Sequence, residues 1–175
     1  MTSISNTHPS DPAAPNQKLS FAARLGITFI PLVTAGFIAN RVTLPEIPGW
    51  YAQLVKPSFN PPNWLFGPAW GVLYMLMAVA VWRILRTEPG LPLRRAGLVL
   101  FFAQLALNCG WSIAFFGLHS PGLALFVIAP FWLLICATLA AFWVVDRLAG
   151  LCFVPYIIWV SFAFVLNGSI WLLNH

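Results

Sequence analysis

Hydrophobic residues in this chain come in long blocks, and five of them set its architecture. Apolar runs are placed near residues 21–40, 64–85, 96–117, 122–145 and 149–173. Each is about 20 residues or longer, enough to cross ~30 Å of hydrocarbon as a helix. No charged residue lies near the centre of any run. The pattern predicts an all-α membrane protein, a bundle of five transmembrane helices. Pro31 and Pro130 fall inside the first and fourth runs and are expected to kink them, which neighbouring helices can tolerate.

The polar segments between the runs complete the layout. Residues 1–20 are rich in Ser, Thr, Asn and Pro, with no basic segment leading straight into a short apolar core. They read as a disordered tail and not as a cleaved leader. Three connections are tight: Thr87 to Arg95, L-H-S-P-G after the third run, and V-D-R-L after the fourth. The fourth connection, residues 41–63, is different. It carries Pro45, Pro48, Pro57, Pro61 and Pro62, so it is stiff as well as long, and long loops are uncommon without a role. It reads as a shaped cover over something.

Composition agrees and narrows the classes. The chain has 175 residues, 60% of them hydrophobic and only 7% charged, against about 25% charged in a soluble domain. The net charge of +5 comes with no basic cluster larger than Arg94-Arg95, so nucleic acid is not the expected partner. The cations instead orient the chain in a lipid bilayer. Lys18, Arg24, Arg83, Arg86, Arg94, Arg95 and Arg147 fall on one side, and Arg41 and Lys56 on the other. By the positive-inside rule the N-terminus is inside and the C-terminus outside, with the proline-rich loop outward. This count favours a bacterial inner membrane. Cys109, Cys136 and Cys152 form no CxxC pair and read as packing residues. His119 has no second His or carboxylate near it in sequence, so no metal site is expected.

Helical spacing locates the polar faces. Gln104, Asn108, Trp111 and Phe115 share one face of the third run, Tyr156, Trp159, Ala163 and Asn167 one face of the fifth, and Trp70, Tyr74 and Met77 one face of the second. At 1.5 Å per residue, Trp70 lies about 9 Å below the loop side. Trp111 and Asn167 lie at similar depth. Three helices therefore turn aromatic and amide groups into the same half of the bilayer, beneath the loop, as expected of a small-molecule site. Intramembrane Asn and Gln also join helices to one another, contributing about 0.6 to 2 kcal/mol, and Gln104, Asn108 and Asn167 fit that role too. Trp132 sits mid-run with no polar companion and reads as core or lipid-facing. Trp64, Trp82, Trp143 and Trp171 lie near run ends, where tryptophan anchors to the interface. The opposite face of the third run carries Ala103, Ala106, Gly110 and Ala114. Such small residues let helices approach closely, either inside one chain or between two. A homodimer is favoured, because the polar face already turns inward.

Three motifs also resemble a known family. The run W-Y-x-x-L-x-K-P-x-F-x-P-P-x-W from Trp50, followed by G-P-A-W-G-V-L-Y, is similar to the first loop and second helix of the TspO/MBR family of translocator and tryptophan-rich sensory proteins. The segments F-F-A-Q-L-A-L-N-C-G-W-S-I-A-F-F-G (101–117) and V-P-Y-I-I-W-V-S-F-A-F-V-L-N (154–167) continue the match, which covers about residues 21 to 173. The resemblance implies a five-helix bundle, usually dimeric, that binds porphyrins such as protoporphyrin IX and haem, and in many members sterols and synthetic lipophiles. It implies a pocket lined by Trp50, Tyr51, Trp70, Asn108, Trp159, Ala163 and Leu166. Trp50 and Trp159 match the pair linked to light-dependent porphyrin breakdown in bacterial relatives. Members are known from outer membranes as well as inner ones. The tail V-L-N-G-S-I-W-L-L-N-H lacks the tyrosine and basic residue of the cholesterol motif, Leu123 replaces a bulky aromatic of animal members, and Phe59 replaces a tryptophan.

Three functions compete at this point. A porphyrin-binding receptor or sensor has the aromatic pocket behind it. A transporter of tetrapyrroles or other lipophiles lacks the inverted repeats and intramembrane charges common in secondary transporters. An enzyme would have to use light, because the pocket holds no nucleophile–base pair, carboxylate pair or metal cluster. No catalytic residue is assigned beyond the photochemical candidates Trp50 and Trp159, and no cofactor beyond a porphyrin held as ligand. A bundle without a ligand explains the loop worst.

Overall fold

The computed structural model describes residues 19–175, and the expected polar tail lies outside them apart from Leu19 and Ser20. Ser20 belongs to the first helix: its Oγ accepts from the Ala23 amide at 3.2 Å and caps the N-terminus. Seven α-helices follow: α1 (Phe21–Thr43), α2 (Trp50–Gln53), α3 (Asn63–Arg86), α4 (Arg94–Ser112), α5 (Pro121–Val145), α6 (Arg147–Leu151) and α7 (Val154–Leu173). No strand is present among the described residues. Five segments are long and apolar enough to cross a membrane, namely Phe21–Glu46, Asn63–Arg86, Arg94–Gly117, Pro121–Val145 and Arg147–Leu173.

The boundaries fall close to those read from the hydropathy pattern, with three physical differences. First, α1 runs on through Thr43 and tightens into a 3-10 turn at Leu44–Glu46, started by Pro45. The cover therefore begins as a continuation of the helix. Second, α4 widens at its end into a π turn, Ile113–Gly117, in which the Leu118 amide donates to the Ile113 carbonyl at 2.8 Å. Third, the link between the fourth and fifth spans contains a helix of its own, α6. Asp146 caps it by accepting from the Leu148 and Ala149 amides and pairs with Arg83 of α3 at 2.9 Å. Pro31 and Pro130 lie inside continuous helices, as does Pro68 near the start of α3.

Neighbouring helices pack in the order α3, α1, α4, α5, α7 around the bundle. The α4–α5 seam is the closest. A Cβ built on Gly97 would lie 2.9 Å from Phe142 Cδ1, so only glycine allows that approach. Aromatic rings bridge α3 and α7: Trp70 meets Tyr156 edge-on at 6.2 Å, and Phe66 meets Trp159 at 6.0 Å. On the side away from the cover the interior is solid, filled by Met77, Val81, Ile84, Phe101, Ile135, Phe142 and Phe153. Arg94 is buried there. Its Nε donates to the Ile84 carbonyl at 3.1 Å, and its Nη2 donates to that of Leu85. The guanidinium thus bonds two carbonyls of the last turn of α3, that of Ile84 shared with Thr87, and sits at the negative end of the helix dipole.

Candidate ligand-binding site

Beneath the cover the solid packing gives way to a cavity of about 690 Å³, within the range of small-molecule sites. Helix α1 supplies Leu32, Gly36, Asn40 and Thr43; α3 supplies Phe66, Trp70 and Tyr74; α4 and its π turn supply Asn108, Trp111, Phe115 and Phe116; α7 supplies Ala163, Leu166, Asn167 and Ile170. Tyr51, on α2, closes the top. Ala114, Phe115 and Phe116 of the π turn are consecutive and all buried, and the two phenylalanines line the cavity.

Tyr74, Asn108, Trp111 and Asn167 in the wall are already partnered. The Tyr74 hydroxyl donates to Asn108 Oδ1 at 2.9 Å, and Asn108 Nδ2 lies 3.5 Å from the Tyr156 hydroxyl. Tyr156 in turn donates to Gln104 Oε1 at 2.9 Å. Trp111 Nε1 donates to Asn167 Oδ1 at 3.0 Å, and Asn167 Nδ2 to the Pro121 carbonyl at 2.9 Å. These bonds hold the wall rigid and leave shape and aromatic contact as its main means of recognition. No charged side chain lines the cavity among the described residues.

The cover is tied down at several points. The Tyr51 hydroxyl donates to Asn60 Oδ1 at 2.7 Å. Burial pushes the Tyr51 phenol up to about 12, with the Asn60 hydrogen bond opposing the shift, so it stays a neutral donor at ordinary pH. Asn174, just past α7, bonds the Val55 backbone twice, accepting from its N–H and donating to its carbonyl, each at 2.9 Å. His119, in a left-handed conformation at φ 50°, meets Glu46 at 2.8 Å and stacks on Trp50 at 4.6 Å. Lys56 Nζ lies 4.9 Å above the Tyr51 ring and donates to the Ala52 and Leu54 carbonyls.

Of the residues singled out from the sequence, Tyr51, Trp70, Asn108, Ala163 and Leu166 face this one cavity. Trp50 and Trp159 do not. Trp50 is sandwiched in the cover between His119 and Phe115, and Trp159 sits behind the wall, against Phe66 and Phe162. The small-residue face of α4 divides. Ala103 and Ala106 are exposed, Gly110 is half-buried with Val127 beside it, and Ala114 is buried in the chain's own interior. Trp132 has a polar companion after all: its Nε1 donates to Ser161 Oγ of α7 at 2.7 Å. Helical spacing did not mark the α1 wall, because the polar residues of its upper half, Thr34, Asn40, Arg41 and Thr43, do not repeat as one aromatic and amide face.

Comparison with known proteins agrees with this architecture. A profile of the TspO/MBR family matches residues 27–172. The Tryptophan-rich protein TspO of Chlorobaculum tepidum is 41% identical over 158 residues, covering 90% of this chain and 98% of that one. Protein CrtK of Rhodobacter capsulatus is 46% identical over 125 residues, 71% of this chain and 78% of its own. The human Translocator protein is 35% identical over 152 residues, 86% of this chain and 89% of its own. With five spanning helices and a family match that covers most of its length, this chain is a multi-pass integral membrane protein and belongs to the TspO/MBR family.

Proposed function

We propose that the protein is a membrane receptor for porphyrins, holding protoporphyrin IX, haem or a similarly flat lipophile beneath the cover. The observation that carries this reading is the cavity itself: about 690 Å³, walled by Trp70, Tyr74, Trp111, Phe115 and Phe116, with the amides of Asn108 and Asn167 already bonded. Such walls favour a flat apolar face over a ligand that demands hydrogen bonds. The wall offers no cation to a porphyrin's carboxylates, so that edge of the ligand points to the cover, toward Lys56 beside Tyr51. A relative named Tryptophan-rich sensory protein, 39% identical over 150 residues, fits a receptor better than a pump. Trp50 and Trp159 lie outside the lining, so light-driven breakdown of a bound porphyrin would reach their indoles only through intervening rings. Receptor therefore ranks before enzyme.

Two further readings accompany this one. The N-terminus lies inside an inner membrane and the cover outside, following the cation count. Two copies associate through the exposed α4 surface around Ala103 and Ala106.

The test is a titration of the purified protein with protoporphyrin IX, followed by tryptophan emission in the dark. Saturable quenching is expected, and Ala163→Phe, which fills the cavity from α7, weakens it about tenfold or more. Absent or non-saturable quenching, or an unaffected Ala163→Phe variant, rejects the porphyrin reading of this cavity.

A further inference from the structure

The cavity has two boundaries through which a ligand could pass, and they are built differently. Toward water stands the cover, fastened by the Asn174–Val55 pair of hydrogen bonds, the Tyr51–Asn60 bond and the Glu46–His119 contact. Toward lipid stands the seam between α1 and α3. There the same residues that line the cavity are also open to the outside: Val33 is 67% exposed, Phe37 64% and Met75 69%. A side chain can face both ways only where the wall is one residue thick or absent.

The α3 side of this seam carries Gly67 and Gly71, four residues apart on one face, both lining the cavity and both exposed. A Cβ built on either would have nothing within 4 Å. Neither glycine has a positive φ, and neither lets another helix come close. Glycine inside a helix costs roughly 0.8–1 kcal/mol relative to alanine, and no conformational or packing need of these two offsets that. What they do provide is space, a slot about one turn long at the edge of the cavity. Deeper along the seam the helices do touch: a Cβ on Gly36 of α1 would lie 3.7 Å from Tyr74 Cε1. The slot is thus closed behind by Tyr74 and open in front to the hydrocarbon.

We infer that the slot between α1 and α3, floored by Gly67 and Gly71, is the entrance of the cavity, and that ligands pass sideways from the leaflet on the cover side without lifting the cover. A lipophile concentrates in the bilayer, so the slot meets it where it is most abundant, and it need not cross water or break the ties of the cover. The ligand class is flat and apolar, with any charged edge kept at the level of the cover. This inference rests on the receptor reading for its porphyrin test, and a second measurement below frees it from that reading.

The experiment uses the full chain in lipid vesicles preloaded with protoporphyrin IX, with tryptophan quenching followed by rapid mixing. Gly67→Leu and Gly71→Leu put side chains into open space, so the helix tolerates them. Each is expected to slow association and dissociation together, by about tenfold. Asn174→Ala and His119→Ala, which loosen the cover and lie outside the cavity wall, leave both rates within about twofold of the parent. The opposite pattern, faster exchange in the cover variants and parental rates in the leucine variants, overturns the inference. Vesicles of phosphatidylcholine brominated on its acyl chains supply the test without porphyrin. Bromine quenches indoles it touches, and Trp70 lines the cavity beside the slot. The parent is quenched more than Gly71→Leu if acyl chains reach the slot; equal quenching rejects a lipid-facing opening. Absence of porphyrin binding in the parent would defeat the receptor reading alone, because the brominated-lipid comparison still decides the entrance.

Discussion

Asn108 ties three helices together at the cavity wall. It accepts from Tyr74, faces Tyr156, and so joins α3, α4 and α7 at the floor of the cavity. Removing one partner of a buried hydrogen bond leaves the other unsatisfied, at about 1–3 kcal/mol, while polar contacts between membrane helices average nearer 0.6. Asn108→Ala is therefore expected to lower stability by about 1–2 kcal/mol and to free the Tyr74 hydroxyl into the cavity. Thermal unfolding in detergent measures the first effect. Tyr74→Phe serves as the comparison: it should cost less, because Asn108 keeps its contact with Tyr156. The periodicity of the sequence marked Asn108 as either a ligand contact or a helix–helix bond. In the structure it lines the cavity and holds the wall together at once.

Among the elements, α6 shows what five residues can do at the far end of the bundle. Asp146 caps it and at the same time holds Arg83. Burial pushes the Asp146 carboxyl up, but the Arg83 hydrogen bond and charge, with the amides of Ala149 and Leu148, outweigh it and hold the carboxyl below its usual range. A carboxyl with a lowered folded pKa stabilises the fold above its unfolded value of about 3.9, and that contribution disappears as pH falls through the folded value. Asp146→Ala should cost about 0.5–2 kcal/mol near neutral pH, mostly the lost cap. The difference in melting temperature between parent and variant should narrow below about pH 4. Melting curves at a series of pH values check both statements. Chain order alone hid this element. Asp-Arg-Leu between two apolar blocks looks like a plain turn, and only the N-cap geometry of Asp146 reveals the helix. The long helices, by contrast, were legible almost to their ends, because a block of twenty apolar residues in lipid has few alternatives to helix.

At the scale of the whole molecule, the sequence revealed where the polar faces meet but not which helix closes the room around them. Three faces carry amides and indoles, so Trp70, Asn108 and Ala163 could be brought to one place by spacing and depth. Helix α1 carries a single amide, Asn40, and no indole, and its share of the wall follows from how it packs against α3 and α4. Trp50 and Trp159 illustrate the converse, since an aromatic on the right face can still be one layer behind the wall. The proposed association of two copies belongs to this scale as well. Val99, Ala103 and Ala106 form an exposed apolar strip on α4, while Ala114 is withdrawn into the interior. Ala106→Trp on that strip is expected to convert a dimer to a monomer in detergent, and Ala114→Ser to leave the dimer intact. Light scattering during size-exclusion chromatography reads the mass directly, and a monomeric parent would remove the dimer from the picture.

The π turn at Ile113–Gly117 has a consequence for how relatives of this protein are compared. A hydrogen bond that spans five residues instead of four holds one residue more than the α-helix needs. Phe115 and Phe116, both within this turn, face the cavity. A relative shorter by a single position here would run straight on as α-helix, swing one of the two rings outward, and enclose a differently shaped room under the same cover. An alignment gap of one residue at this point would then change the shape of that room, even where every residue that lines it is identical.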